Sequence, residues 1–340
     1  MEKLTIREIA KMAGVSQTAV SFVMNNKPGV SDETRQRVLD IIEETNFKAN
    51  LSSRRLALSR NFSICLTYVE SSSPFDDWFY FEVAKGVMNY MASINYSVTM
   101  LCLTRENGKY TVPDIIASKA TDGIMFFQDI DDEFLHQIES FDIPYVVVDS
   151  YSDSSDILTI KNDAKSFTRK AIGYLLSRGH RSIGLIGSSY IPNFWSAVYE
   201  SFVDSLRPSL AAINEEWIQN QAYDEDSAYD CMRRILNSSN LPTAVFCAGD
   251  IFAIGAIRCI KDSGLSVPND ISIISVDNIS YGKYIEPALT TINLNNEQLG
   301  VLAAQLLWKR MNNHDVRSIK LDSSSIVERQ SVITIDKPKK

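Results

Sequence analysis

Cysteine is scarce in this chain, and what there is stands badly for covalent or metal chemistry. The five residues Cys65, Cys102, Cys231, Cys247 and Cys259 are odd in number, widely spaced and without a CxxC pair. That excludes a disulfide framework or a zinc site read from spacing, and suits small buried thiols in a reducing compartment. Histidine is scarcer still: His136, His180 and His314 lie far apart, so no metal ligand set is expected. Fourteen Gly and ten Pro in 340 residues are too few for a collagenous or low-complexity chain. No run of about 18 apolar residues occurs, so no helix is expected to span a bilayer. The opening MEKLTIREIAKMAG has charges in every apolar stretch and does not read as a secretory leader. Catalytic signatures are missing too. No GxGxxG opens a βαβ unit, and there is no GxxxxGK[ST] loop, GxSxG elbow or HExxH. Asp76 and Asp77 are neighbours, and neighbouring side chains point apart, which argues against a paired acid and base. No catalytic residue, cofactor or enzymatic activity is expected.

What is present is an ordinary globular composition. With 45% hydrophobic and 22% charged residues the chain can bury a core, and its length suggests about two domains. The net charge of −8 is unevenly spread. Residues 1–60 hold ten Lys/Arg against seven Asp/Glu, a balance of +3; the remainder holds 24 against 35, a balance of −11. A small basic head on an acidic body hints that the head touches nucleic acid.

The head reads as three short helices. Thr5 and Glu8 form a capping box, and Ile6, Ile9, Ala10 and Ala13 line one apolar face behind it. Gly14 is suited to end that helix, since it adopts positive φ at little cost. Ser16 caps a second helix running to about Asn25, with Val20, Val23 and Met24 inward. Ser31 caps a third, carrying Val38, Ile41 and Ile42. Two helices joined by a tight glycine turn make a helix-turn-helix. The second presents Gln17, Thr18, Ser21, Phe22 and Asn25 outward, side chains suited to base edges and phosphates. The same spacing also fits a small bundle with a solvated face.

Residues 4–50, with IREIAKMAGVS, AVS, NNKPGVS and ETRQRVLDIIEE almost without a gap, resemble the DNA-binding head of the LacI/GalR family of bacterial transcription regulators. The resemblance implies that Gln17, Thr18 and Phe22 hold base-reading positions. The DNA-contacting set it implies is Thr5, Ser16, Gln17, Thr18, Ser21, Phe22, Asn25, Val30, Arg54, Arg55 and Leu56. Where the family usually has a long basic side chain this chain has Phe22, which cannot give guanine the bidentate bond of an arginine. Phe22 either packs on a thymine methyl or covers the edge of the third helix. Residues 50–60, Asn-Leu-Ser-Ser-Arg-Arg-Leu-Ala-Leu-Ser-Arg, are short and basic and lack a full apolar face. Alone they read as a linker or a marginal helix. The resemblance makes them a hinge that folds on DNA, with Leu56 wedged into the minor groove and Arg54 and Arg55 on phosphates. Ser52 and Ser53 replace the usual alanines and weaken that helix a little.

The body alternates apolar runs with amphipathic stretches. Ser63–Val69, Ser97–Cys102, Gly123–Phe127, Tyr145–Asp149, Ile183–Gly187, Ala244–Ala248 and Ile271–Val276 read as strands. Glu82–Ala92, Asp163–Ser177, Asp250–Asp262 and Glu297–Met311 read as helices. This order predicts an α/β fold of two doubly wound parallel-sheet lobes with ligand at the carboxyl ends of the strands. LLSRGHRSIGLIG (175–187), GDIFAIGAIRCIKDSGLSVPNDISIISVDN (249–278) and PALTTI (287–292) are similar to the periplasmic-binding-protein-like domain of the same family. The resemblance implies three chain crossings between lobes that close on a small molecule, often a sugar or a purine. It points to Phe75, Trp78, Phe79, Asp149, Trp195 and Asp277 as effector contacts. Two departures weaken a polar site: Val198 stands where an arginine is frequent, and Gly249 where an asparagine is, with Asp250 expected as the cap of the following helix. Tested against the residues, the aromatic stretch could equally anchor the lobes, and the two acids could bond nearby backbone.

The reading is therefore a helix-turn-helix domain over 1–49, a hinge over 50–60 and a two-lobed effector and dimerisation domain over 61–340. The resemblance implies a cytoplasmic repressor that binds a near-palindromic operator as a homodimer, with a tetramer left open, and answers to a sugar-like effector. A small-molecule-binding module of the periplasmic type is the alternative, but it leaves the head unexplained.

Overall fold

The computed structural model describes residues 4–24, 28–45, 47, 55, 58, 60–69, 73–128, 130–151, 157–209, 211, 213–322 and 324–335. The chain divides into two compact units, Met1–Phe62 and Ser63–Lys340. Among the described residues no helix is long and apolar enough to cross a membrane.

The first unit holds α1 (Ile6–Ala13), α2 (Gln17–Met24) and α3 (Asp32–Glu44). Thr5 and Glu8 cap α1 reciprocally, the Thr5 N–H donating to Glu8 Oε2 at 2.6 Å, and Gly14 ends it at φ 68°. Ser16 Oγ accepts the Ala19 N–H at 3.1 Å and so caps α2. Ser31 Oγ accepts the Thr34 N–H and caps α3. Ile9, Ala10, Ala13, Val20, Val23, Val38 and Phe47 form the small core, with Ile41 and Ile42 packed against it. Of the expected hinge only Arg55, Leu58 and Arg60 are described; Arg54 and Leu56, like Asn25, lie outside the described residues.

The second unit carries two six-stranded sheets. The first lobe contains β1 (Ser63–Tyr68), α4 (Trp78–Ser93), β2 (Ser97–Cys102), the hairpin β3 (Arg105–Glu106) and β4 (Lys109–Tyr110), α5 (Asp114–Ala117), β5 (Gly123–Phe127), α6 (Asp132–Glu139), β6 (Tyr145–Val148) and β7 (Thr159–Asn162). The second contains α7 (Ala164–Ser177), β8 (Ile183–Ile186), α8 (Pro192–Leu206), β9 (Ile218–Gln219), α9 (Glu225–Leu236), β10 (Ala244–Cys247), α10 (Asp250–Asp262), β11 (Ser272–Asp277) and β12 (Thr290–Asn293). The chain then returns to the first lobe with α11 (Asn296–Met311) and β13 (Ile319–Leu321), and ends in the second with β14 (Ser325–Val327). The sheet orders are β13-β7-β6-β5-β1-β2 and β14-β12-β11-β10-β8-β9. Every pairing in them is parallel except β14 on β12. Both lobes are thus doubly wound, with switch points between β1 and β5 and between β8 and β10.

The chain crosses between lobes three times: around Asp163, around Asn295 and after Asp322. The first and third crossings are tied together. The Asp163 N–H donates to the Leu321 carbonyl at 2.8 Å, Lys320 pairs with Asp163 at 3.0 Å, and Lys170 pairs with Asp322 at 2.7 Å. The seven expected strands and four expected body helices are present within a few residues. The structure adds the short strands β3, β4, β7, β9, β12, β13 and β14, whose two to four residues alternate too briefly to be read, and helices α5, α6, α8 and α9.

Close approach of backbones sets the helix packing. A Cβ on Gly86 (α4) would lie 2.0 Å from the Glu297 carbonyl oxygen on α11, and one on Gly300 (α11) 2.0 Å from that of Val83. In the second lobe a Cβ on Gly255 (α10) would lie 2.1 Å from the Glu225 carbonyl oxygen on α9. Only glycine permits such crossings, and they fix α4 and α10, whose first turns face the cleft.

Candidate functional site

In the head, the capping of α2 turns Gln17 and Thr18 to solvent, while Ser21 and Phe22 are half-buried. Val30 is half-buried at the entry to α3, and Arg55 donates from Nε to the Asn61 carbonyl at 2.8 Å. Thr5 and Ser16 are exposed, and both spend their hydroxyls on caps. The Phe22 ring packs on Gly29: a Cβ there would meet Phe22 Cε2 at 3.2 Å, and Gly29 sits at φ 111°. Phe22 is therefore held against the turn that enters α3, and it stays partly exposed on the helix that carries Gln17 and Thr18.

The second unit encloses a cavity of about 530 Å³ between its lobes, at the carboxyl ends of both sheets, a size suited to a small organic molecule. The first turn of α4 supplies Asp77, Trp78, Phe79 and Tyr80, and the ends of β5, β6 and β7 supply Gln128, Asp149, Tyr151 and Asn162. From the second lobe come Phe167 on α7, Ser188, Tyr190 and Phe194 after β8, Tyr223 after β9, Gly249 and Phe252 after β10, and Asp277 on β11. Strand ends here turn sharply: Gln128, Asp149 and Asp277 have φ of 64°, 61° and 117°. Backbone strain of this kind gathers at ligand-facing positions.

The walls are aromatic. Trp78 meets Tyr281 of the other lobe edge-on at 4.8 Å between ring centroids, Tyr80 lies 5.2 Å from Phe127, and Tyr151 meets Phe194 at 5.1 Å. The charged groups are all acids. Asp77 caps α4, accepting the Phe79 and Tyr80 N–H groups through Oδ1 at 2.7 and 3.4 Å, which leaves Oδ2 outside the cap. The Tyr80 hydroxyl donates to Asp149 Oδ2 at 2.9 Å. Burial pushes Asp77 up from the usual carboxylate range despite those bonds. Asp277 is pushed well up, by burial first and then by the charges of Asp250, Asp77 and Asp149. The Tyr80 and Tyr151 hydroxyls are raised well above their ordinary value, by burial and then by Asp149. No lysine, arginine or histidine is among the described residues lining the cavity. Asn162 lines it too, is 3% exposed, and its Nδ2 has no hydrogen-bond partner.

Trp78, Phe79, Asp149 and Asp277, all expected from sequence, meet in this cavity. Phe75 and Trp195 do not. Phe75 is 73% exposed and rests edge-on against Tyr68. Trp195 covers Gly187, where a Cβ would lie 2.7 Å from the indole, and packs on the core of the second lobe. On α8 it is Phe194 that faces the cavity, one residue and about 100° away. Val198 is fully buried in that same core. Asp250 is not a helix cap. Gly249 holds that place, while the Asp250 carboxylate accepts the Ser275 hydroxyl, the Thr291 hydroxyl at 2.6 Å and the Ile279 N–H at 2.8 Å. It thereby joins α10, β11 and β12 beneath the cavity, and its pKa is pushed up to about 6 by burial. Tyr80, Tyr151, Asn162, Tyr190, Phe194, Tyr223 and Phe252 were not signalled by sequence. A rule that takes the first residues after each strand would have found Tyr151, Tyr190 and Tyr223.

Ser188 has no histidine beside it in the cavity lining, and among the described residues no group of His, Cys, Asp and Glu is placed to hold a metal.

Comparison with known proteins bears on both units. The model of the family described as bacterial regulatory proteins, lacI family, matches residues 5–50, and that of the periplasmic binding protein-like domain matches residues 172–332. The HTH-type transcriptional repressor PurR of Histophilus somni (strain 129Pt) is 33% identical over 341 residues, covering 97% of this chain and 99% of its own. The probable HTH-type transcriptional repressor ExuR of Bacillus subtilis (strain 168) is 32% identical, covering 97% and 98%. Among solved structures, the lac repressor dimer bound to operator and the anti-inducer ONPF superposes with a TM-score of 0.77 at 22% identity, covering 98% of this chain and 100% of that one. The transcriptional regulator CelR in complex with cellobiose gives 0.71 at 23%, covering 96% and 99%.

Proposed function

The chain belongs to the LacI family of bacterial regulatory proteins, and from that membership we propose that it represses transcription by binding a near-palindromic operator as a homodimer, under the control of a small molecule held between its lobes. It is a DNA-binding transcriptional regulator and not an enzyme. The observation that carries the reading is the joining, in one chain, of a capped helix-turn-helix to a two-lobed unit with a cavity at its strand ends.

In this reading residues 1–49 read DNA, 50–60 form the hinge, and 61–340 bind the effector and pair the subunits. Two copies of α2 enter successive major grooves. Gln17 and Thr18 meet base edges, and Thr5, Ser16, Ser21, Asn25, Val30, Arg54 and Arg55 fix the register on phosphates and sugars. Phe22, held on Gly29, offers an apolar edge to a thymine methyl. Leu56 enters the minor groove at the centre of the site. The work is done in the cytoplasm, where the operator is. A ligand that touches Asp77 and Asp149 of one lobe and Asp277 of the other favours one lobe arrangement. It changes DNA affinity by as much as it prefers that arrangement.

The test is base-specific. Gln17→Ala and Thr18→Ala keep the capped helix and are expected to relax preference at fixed positions of each half-site, by about 1–3 kcal/mol for each lost contact. Uniform weakening on every sequence would remove α2 from the reading role.

A further inference from the structure

Aromatic rings continue out of the cavity at its mouth. Inside, Tyr151 and Phe167 are buried. Tyr190 and Tyr223 line the same cavity, yet they are 70% and 62% exposed. They come from different loops, after β8 and after β9, and meet edge-on with ring centroids 5.4 Å apart. Backbone bonds hold the two loops together. Ser188 and Gln221 form an antiparallel bridge, the Ser189 N–H donates to the Asn220 carbonyl at 2.7 Å, and the Ala222 N–H donates to that of Gly187 at 3.1 Å. The Tyr223 N–H donates to the Ser227 hydroxyl at 2.9 Å, which fixes its backbone at the entry to α9. The two rings are thus placed by the loops, while most of their surface stays in water. Exposed apolar surface at the rim of a groove marks a binding site.

The interplanar angle is 80°, so the pair offers an open ring face but no parallel slot to clamp a flat base. One face of a pyranose carries C–H groups that suit the negative face of an aromatic ring. Deeper in, the acids are hydrogen-bonding groups rather than bare charges. Asp77 caps α4, Asp149 accepts from the Tyr80 hydroxyl, and Asp277 is pushed toward its neutral form. Such walls suit uncharged hydroxyls. The cavity, at about 530 Å³, also exceeds one sugar ring: a hexose displaces roughly 180 Å³, the volume of about six liquid waters.

We propose that Tyr190 and Tyr223 form an outer subsite that stacks the second ring of a neutral disaccharide, whose first ring lies between the lobes. The proposal rests on reading the cavity as the effector site and deepens it to a ligand of two linked rings. The loops hold both tyrosines in place before the ligand arrives, so little ordering entropy is lost on binding. The ring faces carry the contact, and the hydroxyls do not.

The probes are cellobiose, maltose, lactose, melibiose, sucrose and trehalose, set against glucose, galactose and fructose, with adenine as the flat-ring control. Each is titrated by calorimetry into the full chain. At least one disaccharide is expected to bind at least tenfold tighter than either of its component sugars. Tyr190→Ala and Tyr223→Ala should each cut that ratio at least threefold, and together bring it near one. Tyr190→Phe and Tyr223→Phe should keep it. Both side chains are exposed, and a thermal melt checks that each variant folds. A ratio near one for every disaccharide, absence of disaccharide binding, a ratio that survives both alanines, or tyrosine-dependent binding of adenine in place of sugar would overturn the proposal. Sequence-specific DNA binding is scored on the same preparation. Its presence without a disaccharide preference sinks this inference alone; its absence sinks the regulator reading, whatever the sugars do.

Discussion

Replacing Gly300 by alanine puts a methyl group where a backbone already is. The new Cβ would stand 2.0 Å from the Val83 carbonyl oxygen, 2.9 Å from its carbon and 3.1 Å from the Val83 Cα. No rotamer relieves a clash between two main chains, so α4 and α11 must part by more than about 1 Å to restore van der Waals contact. Both helices are buried around this crossing, α4 through Val83, Ala84, Val87 and Met91 and α11 through Leu299, Ala303, Ala304 and Leu307. Overpacking costs about 1–3 kcal/mol, and here it falls at the upper end. Alanine returns about 1 kcal/mol of helix propensity. The net expectation is a loss of about 2 kcal/mol, read by urea denaturation of the full chain followed by circular dichroism. Gly86→Ala strikes the same seam from the other helix, at 2.0 Å from the Glu297 carbonyl oxygen, and should cost a similar amount. The double variant should then lose clearly less than the sum, because helices already parted accommodate the second methyl. A single variant as stable as wild type, or strict additivity, would refute the packing argument.

Other expectations follow from the head, the hinge and the buried acid. Phe22→Arg should change the preferred base at one position of each half-site while the head stays folded, as read by binding-site selection; an unchanged preference means that Phe22 only holds the turn at Gly29. Leu56→Ala should weaken specific binding far more than non-specific binding, and equal losses in a titration against both DNAs contradict the minor-groove wedge. Asp250→Ala strands the Ser275 and Thr291 hydroxyls and the Ile279 N–H. With about 1–3 kcal/mol for each orphaned group, less what is regained by removing a buried charge, denaturation at pH 7 should show a loss of about 2–4 kcal/mol. A pKa raised to about 6 means that the folded state holds the Asp250 proton more tightly than the unfolded chain. The stability this supplies is full below about pH 4 and is lost as pH rises through about 6. His180, lowered by burial, acts oppositely in the same range, so the decisive quantity is the wild-type melting temperature minus that of Asp250→Asn. That difference should grow as pH falls from 7 to 5; a constant difference rejects the assignment.

The head was legible because its signals are local. A capping box, a glycine with positive φ and two serine caps lie within a few residues of the helices they define. The strand–helix alternation of the body was equally plain, and strand ends gave Asp149 and Asp277 directly. What sequence could not supply is the facing of a side chain on an irregular segment. Phe75 sits in a turn that lets its ring leave the cavity, and Trp195 is one helical step away from the residue that enters it. Asn162 escaped notice because the four-residue strand it ends, Thr-Ile-Lys-Asn, alternates too briefly to be seen. Asp250 reads as a cap because it starts a helix. Its actual partners lie on β11, on β12 and at Ile279, 25 to 41 residues further along, and only the sheet brings them near.

The central claim is that this chain reads a defined operator. The direct measurement is selection of bound fragments from the source genome by the purified full chain at near-physiological salt. The account predicts a shared near-palindrome whose centre is a flexible pyrimidine–purine step, open to a kink by paired leucines. Recovery of fragments with no common sequence would contradict it.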